Sequence, residues 1–374
     1  MSNEADAGAG DATRAWRELL DTLRGLDESF LAGPRAVTDD RHVADGYRMI
    51  ATTLGVALDT YLFADPTRPM WLELNSPFRP DRRWGGDNTD AIYYMCPVDP
   101  TRRYRISGNR GDSVYFSVTA YNEPSPGAWS DRVLGLVRDD DLDFDADGNF
   151  CFDFGPEPEA AVLMTRDYQA DPLVGRPVTW KIEALDEPAP FRHGQDETAA
   201  ALRASAAWLR TMFAIVPLAV GVKNSDAHNL GHETAMAANE FAEPYQVPDA
   251  NFGWSARDAC YAYGSFDLAE DEVMVITHRP PDCRFWNMVV WNQFMAVPGV
   301  ADARSSVNGF TAVPNADGTV TILVSRAATS HPNSLTTLDY PRGNLAFRWF
   351  LADDVPARPQ VEVVKSDEAP TAVS

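Results

Sequence analysis

Cysteine is scarce in this chain. The four residues, Cys96, Cys151, Cys260 and Cys283, are scattered and form no C-x-x-C pair. That excludes a metal-finger ligand set and a dense disulfide framework, and leaves reduced thiols in a cytoplasm as the expectation. No apolar run reaches the length of a transmembrane helix. The longest candidate, residues 214–222, is short and contains Pro217. The first ten residues are acidic and small, without the basic and apolar regions of a secretory signal. Basic residues are outnumbered 32 to 55, for a net charge of −23. Such a surface repels nucleic acid and anionic membrane, so neither is expected as a partner. A small-molecule substrate is expected instead, and self-association into a homo-oligomer stays open. There is no G-x-G-x-x-G, no P-loop, no G-x-S-x-G and no kinase signature, so no cofactor is expected.

What is present is a soluble, aromatic-rich composition, 45% hydrophobic and 11% aromatic. A chain of 374 residues buries a core without staples and holds one large domain or two ordinary ones. Asp11 is placed to cap a helix carrying Trp16, Leu19, Leu20, Leu23 and Leu26 at helical spacing. Thr38 or Asp39 caps a second, with Val43, Tyr47, Ile50, Leu54, Leu58 and Tyr61 as its apolar stripe, ended by Asp65-Pro66. From Trp71 the texture changes to short aromatic and β-branched runs between Gly, Pro, Asn and Asp turns. Strands are predicted at Ala91–Cys96, Tyr104–Ser107, Ser113–Thr119, Asn149–Phe154 and Val178–Glu183. Helical spacing returns at Glu197–Leu218, with Leu202, Ala206, Leu209, Met212 and Phe213 on one face, and loosely over Asp226–Phe241. Strand texture resumes near Asp258 and lasts to Val364.

Ala146-Asp-Gly148 and Ala316-Asp-Gly318 are one device used twice, a turn followed by alternating strand residues. Equivalent hairpins in two similarly built units follow. The expected fold is mainly β: two jelly-roll-like β-sandwich units with N-terminal and inter-domain helices. The divisions are 1–66, a helical region with a disordered start; 67–190, the first sandwich; 191–250, a helical connection; 251–365, the second sandwich; and 366–374, a tail.

The segments Tyr261–Glu272, Cys283–Asn292, Ala316–Ser325, His331-Pro-Asn333 and Arg342–Phe350, in that order, resemble the bacterial family called domain of unknown function 1214. Trp84–Tyr94 and Tyr104–Asp112 resemble the front region that accompanies it, similar to its 1254-type partner. The resemblance implies a β-rich fold and no settled reaction. It gives His331 and Asn333 added weight. The chain departs from the family pattern just after them, with Ser334, Leu335, Thr336 and Thr337.

Glu73, Asp81, Asp87, Asn88 and Asp90 gather around a Gly-Gly turn, close in sequence to Trp71, Trp84, Tyr93 and Tyr94. Asp and Asn are ordinary turn formers. A carboxyl walled by aromatics is also what proton transfer in a small-ligand pocket needs. Asp87 and Asp90 are therefore the candidate acids, with His278 and His331 as candidate catalytic partners. Trp71, Trp84, Tyr93, Tyr94, Asn287 and Asn333 are the candidate substrate-binding residues. His228 and His232 would share a helix face as weak metal candidates, but Gly231 lies between them and a local structural role is preferred. Asp143–Gly148 begins like a calcium loop but has Phe154 at the closing position, so a turn is preferred. Three functions follow: a cofactor-independent lyase, hydratase or isomerase acting on a small, largely apolar alcohol; a carbohydrate- or small-molecule-binding protein; and a metal-dependent hydrolase.

Overall fold

Side chains alternate across a strand, so a strand buried on both faces serves two cores. That rule organises the whole molecule. The structure is a computed structural model, and it describes residues 10–33, 35–190, 194–218, 237–250, 253–299 and 304–373. Three helices precede the sheets: α1 (Asp11–Gly25), α2 (Glu28–Leu31) and α3 (Asp40–Leu58). The Asp39 side chain caps α3 by accepting from the His42 amide, and a π-helical turn over Asp59–Phe63 continues it.

The first unit contains β1 (Leu72–Asn75), β2 (Ala91–Pro97), β3 (Tyr104–Asn109), β4 (Tyr115–Asn122), β5 (Val133–Arg138), β6 (Asn149–Phe154), β7 (Ala160–Tyr168) and β8 (Thr179–Ala184). They form a large sheet, β1-β2-β7-β4-β5, and a small one, β6-β3-β8. Between these sheets lie Ile106, Phe116, Val118, Phe150, Leu163 and Ile182. Helix α4 (Gln195–Ile215) follows, burying Leu202, Ala206, Leu209, Met212 and Phe213 as their spacing predicts.

The second unit contains β9 (Glu240–Phe241), β10 (Tyr245–Gln246), β11 (Ala259–Asp267), β12 (Glu272–His278), β13 (Phe285–Trp291), β14 (Ser306–Asn308), β15 (Val320–Ser325), β16 (Ser334–Thr336), β17 (Arg342–Phe350) and β18 (Gln360–Lys365). Its large sheet runs β10-β11-β17-β13-β14 and its small sheet β16-β15-β12-β18. The two units share one connection diagram. β2 through β8 correspond in order to β11, β12, β13, β14, β15, β17 and β18, and β1 corresponds to β10; β9 and β16 have no counterpart.

The two Asp-Gly turns occupy the same place in that diagram. Gly148 and Gly318 have φ of +83° and +82°. The bonds from Gly148 N to Asp145 O and from Gly318 N to Asn315 O are both 3.0 Å. They differ from the expected hairpins in one respect: each joins a large sheet to a small one, rather than two paired strands. The Asp145 carboxylate is occupied by Asp147 N, Asn149 N and Asn149 Nδ2, which leaves it serving the turn.

The outer faces of the two large sheets turn towards each other. With α1, α3 and α4 they bury a core that includes Tyr93, Tyr115, Tyr121 and Tyr168 from one unit and Tyr261, Phe285 and Phe350 from the other. Of the stripe read in the sequence for α3, Val43, Ile50, Leu54 and Tyr61 pack half-buried against the core, while Tyr47 is exposed. The most buried residues of the helix lie beside that stripe: His42, Asp45, Gly46, Met49, Thr53, Val56 and Ala57. Among them Asp45 accepts from Asn292 Nδ2, at 3.2 Å, and from the Tyr340 hydroxyl. Asp226–Phe241 ends in β9, and His228 and His232 lie outside the described residues.

Candidate functional site

Where the large sheets face each other, each contributes a polar row. In the first unit Tyr93, Arg166 and Ser117 stand side by side on β2, β7 and β4. In the second, Tyr261, Arg348 and Asn287 hold the corresponding places on β11, β17 and β13. Both arginines are buried, at 3% and 6% exposure. Arg166 donates from Nη1 to Thr119 Oγ1 at 3.1 Å and from Nη2 to the Tyr121 hydroxyl at 2.8 Å, and also to the Trp254 carbonyl. Arg348 donates from Nη2 to Gly86 O at 2.7 Å and lies over the Trp291 ring, 4.9 Å from its centroid. The Tyr115 hydroxyl donates to Asp258 Oδ2; Asp258 Oδ1 has no partner among the described residues. These rows and the rings of Tyr168 and Tyr263 make a buried polar cluster walled by aromatic side chains between the units, and we term this cluster the chamber.

The Gly-Gly turn delivers the acids to this chamber. Gly85 and Gly86 have φ of +65° and +83°, a region that L side chains rarely adopt. A Cβ on Gly86 would meet the Trp291 ring at 3.3 Å. The turn therefore lies close against the second unit and carries Asp87 and Asp90 into it. Asp87 is ion-paired with buried Arg83 at 2.9 Å and accepts from Val297 N at 2.8 Å, and Trp291 Nε1 donates to its carbonyl. Asp90 accepts from Asn287 Nδ2 at 2.8 Å and from Ser306 Oγ at 3.2 Å. Burial pushes both carboxyls up. At Asp87 the attached Arg83 guanidinium opposes burial directly. Asp90 has only neutral donors attached, from Asn287, Asn308 and Ser306, with the Arg348 charge acting from farther off.

Of the other residues singled out in the sequence, Tyr93 and Asn287 line the chamber. Trp84 packs edge-on beside it against Trp208 and Trp254. Trp71 packs at a tilt against Trp180 at the interior of the first sandwich, and Tyr94 points to the opposite face of β2 from Tyr93. His278 is inside the second sandwich, between Trp286, Phe347 and Trp349, on the far face of the sheet from Asn287. Its Nε2 accepts from Trp349 Nε1 at 3.1 Å, and burial pushes it down to about 3. His331 Nδ1 accepts from Asn333 N, and Asn333 ties Val313 O to Thr321 O through Nδ2 bonds of 2.8 Å each. Both are braces of a loop against the small sheet. The structure thus separates the two histidines from Asp87 and Asp90. Among the described residues no group of three or more His, Cys, Asp or Glu is arranged to hold a metal ion.

Arg166, Arg348, Tyr115, Tyr168, Tyr261 and Asp258 were not singled out as site residues from the sequence. The signal for the arginines was present. Arg166-Asp-Tyr168 and Arg348-Trp-Phe350 each end a long apolar strand, with a charge where a doubly buried strand should have none.

The fold and site define a two-sandwich protein with a buried polar cluster at the join. Residues 266–354 match the family described as "Protein of unknown function (DUF1214)", over the C-terminal segments that resemble it. No curated protein matches the chain. An uncharacterized protein from Burkholderia cenocepacia has a similar structure, at 25% identity and a TM-score of 0.82. The alignment covers 96% of this chain and 100% of that one. The VPA0106 protein from Vibrio parahaemolyticus aligns at 14% identity and a TM-score of 0.48, over 85% of this chain and 97% of that one. Among the described residues no helix is long and apolar enough to cross a membrane.

Proposed function

We propose that the chamber is the site of a cofactor-independent acid–base enzyme, a lyase, hydratase or isomerase acting on a small, largely apolar alcohol. The observation that carries this reading is Asp90. Its carboxyl is buried, its hydrogen-bond partners are neutral, and burial holds its pKa above the ordinary carboxylate range. Such a group can remain protonated near neutrality and donate to a leaving hydroxyl. As accepting partner we propose Asp258, on the Arg166 side of the cluster, whose Oδ2 is held by Tyr115 and whose Oδ1 has no partner among the described residues. This replaces His278 and His331, which lie away from the chamber. The four free cysteines fit a reducing compartment, and we place the protein in the cytoplasm on that ground.

Two measurements test the reading. Infrared difference spectra should show a protonated-carboxyl band near neutral pH that disappears in Asp90→Asn. Small hydroxylated compounds, screened by proton exchange and dehydration, should reveal a turnover that Asp90→Asn lowers by about 10²–10⁴-fold while binding persists. A folded Asp90→Asn protein with full activity would end the assignment.

A further inference from the structure

The internal duplication supplies its own comparison. Arg166 and Arg348 hold one register position in the two units, yet their guanidinium groups are treated differently. Around Arg166 the strand β4 provides acceptors, Thr119 and Tyr121. The corresponding places on β13 are Val289 and Trp291, since Thr119 pairs with Met164 and Val289 with Ala346, each two residues before its arginine. Valine accepts nothing. Tryptophan has only a donor, already used on the Asp87 carbonyl at 2.9 Å. Nη1 of Arg348 is left without a partner among the described residues, although the side chain is only 6% exposed. That is the atom whose counterpart on Arg166 is bound to Thr119 at 3.1 Å. A buried guanidinium with an open donor is costly in an empty site and useful in an occupied one.

We infer that Arg348 is the anchor for a carboxylate on the ligand of this chamber, so that the substrate class is a small monocarboxylic acid with an apolar or aromatic body. A planar carboxylate matches a guanidinium edge. The Trp291 ring, 4.9 Å from Arg348, suits the apolar body, and Tyr93, Tyr261 and Tyr263 come near enough to act on the guanidinium charge through their hydroxyls. Asp87 and Asp90 lie near enough to act on the same guanidinium, and beside these acids a ligand with one negative charge is favoured over a phosphate dianion. The inference rests on the chamber being the ligand site and narrows the proposed substrate to a hydroxy acid. Its test reads binding alone, so the acid role of Asp90 can fail without it, and the reverse.

The probes are benzoate and its neutral analogue benzamide, titrated calorimetrically into the full-length protein, with chloride as the inorganic control. Benzoate should bind at least about tenfold more tightly than benzamide, and Arg348→Met should abolish the difference. The informative variant is Val289→Thr, which restores the acceptor that Arg166 enjoys. It should raise the thermal midpoint and weaken benzoate by about tenfold. Equal binding of benzoate and benzamide would overturn the inference. So would a response to chloride that matches benzoate, or a stably folded Val289→Thr protein that binds benzoate like the wild type.

Discussion

At the residue scale, His278 shows how a candidate catalytic group can be a packing group. A histidine at a strand end invites a proton-transfer role, but β12 turns this one inward, against three aromatic rings. Burial holds it neutral, and its Nε2 is needed by the Trp349 indole. The consequence for stability has a definite sign. The folded-state value lies near 3, below the ordinary 6.5, so the unfolded chain takes up a proton in that window and the native one does not. The contribution is complete above pH 6.5 and is lost as pH falls towards 3. His278→Phe should therefore flatten the fall in stability between pH 6.5 and 4. At pH 7 it should cost about 1–3 kcal/mol for the stranded indole N–H. Urea midpoints across that range decide it, and an unchanged slope in the variant would count against the assignment.

At the element scale, the strands with clean aromatic and β-branched texture were legible, and so were the core face of α4 and the repeated Asp-Gly turn. Strand β7 was not, because Arg166 and Asp167 interrupt its apolar run; those charges belong to long-range partners that no local pattern displays. The α3 stripe was legible in Val43, Ile50 and Leu54, but the burial of Asp45 beside it was not, for the same reason, since it depends on contacts with Asn292 and Tyr340, far along the chain. Of the chamber, the acidic Gly-Gly turn was visible as local chemistry. Its arginines showed only as charges in apolar runs, and pairing them requires knowing that β7 and β17 are equivalent. Turn geometry yields a graded prediction. Alanine at Gly148 or Gly318 forces a positive φ on an L residue beside flexible arginine side chains, and each should cost about 1 kcal/mol. Gly127 is different. At a φ of +82°, its Cβ would lie 2.3 Å from Ala204 O and 2.9 Å from Trp208 N, the backbone of α4. Gly127→Ala should lower the thermal midpoint more than the other two; an equal effect would show that the loop is not held against α4.

At the scale of the whole molecule, the duplication raises the question of whether the two sandwiches are independent. Each has its own interior, which alone would permit separate unfolding. The join argues otherwise. Tyr168 and Phe350 occupy equivalent positions on β7 and β17, and their ring centroids are 4.1 Å apart. Tyr115 stacks on Tyr168, and Phe285 packs against both Tyr168 and Phe350. The aromatic residues of each large sheet are thus buried by the other, and neither sheet can leave without exposing both. Unfolding should then be a single transition. Tyr168→Ala and Phe350→Ala should each cost about 3–5 kcal/mol. Because the rings touch, the double variant should show a coupling of about 0.5–3 kcal/mol. Calorimetry separates the alternatives: with independent units Tyr168→Ala would move only an early transition and leave a later one in place. A single peak that shifts as a whole means that docking of the units is part of folding. The chamber, with Asp90 from one unit and Arg348 from the other, would then be assembled in the same cooperative step.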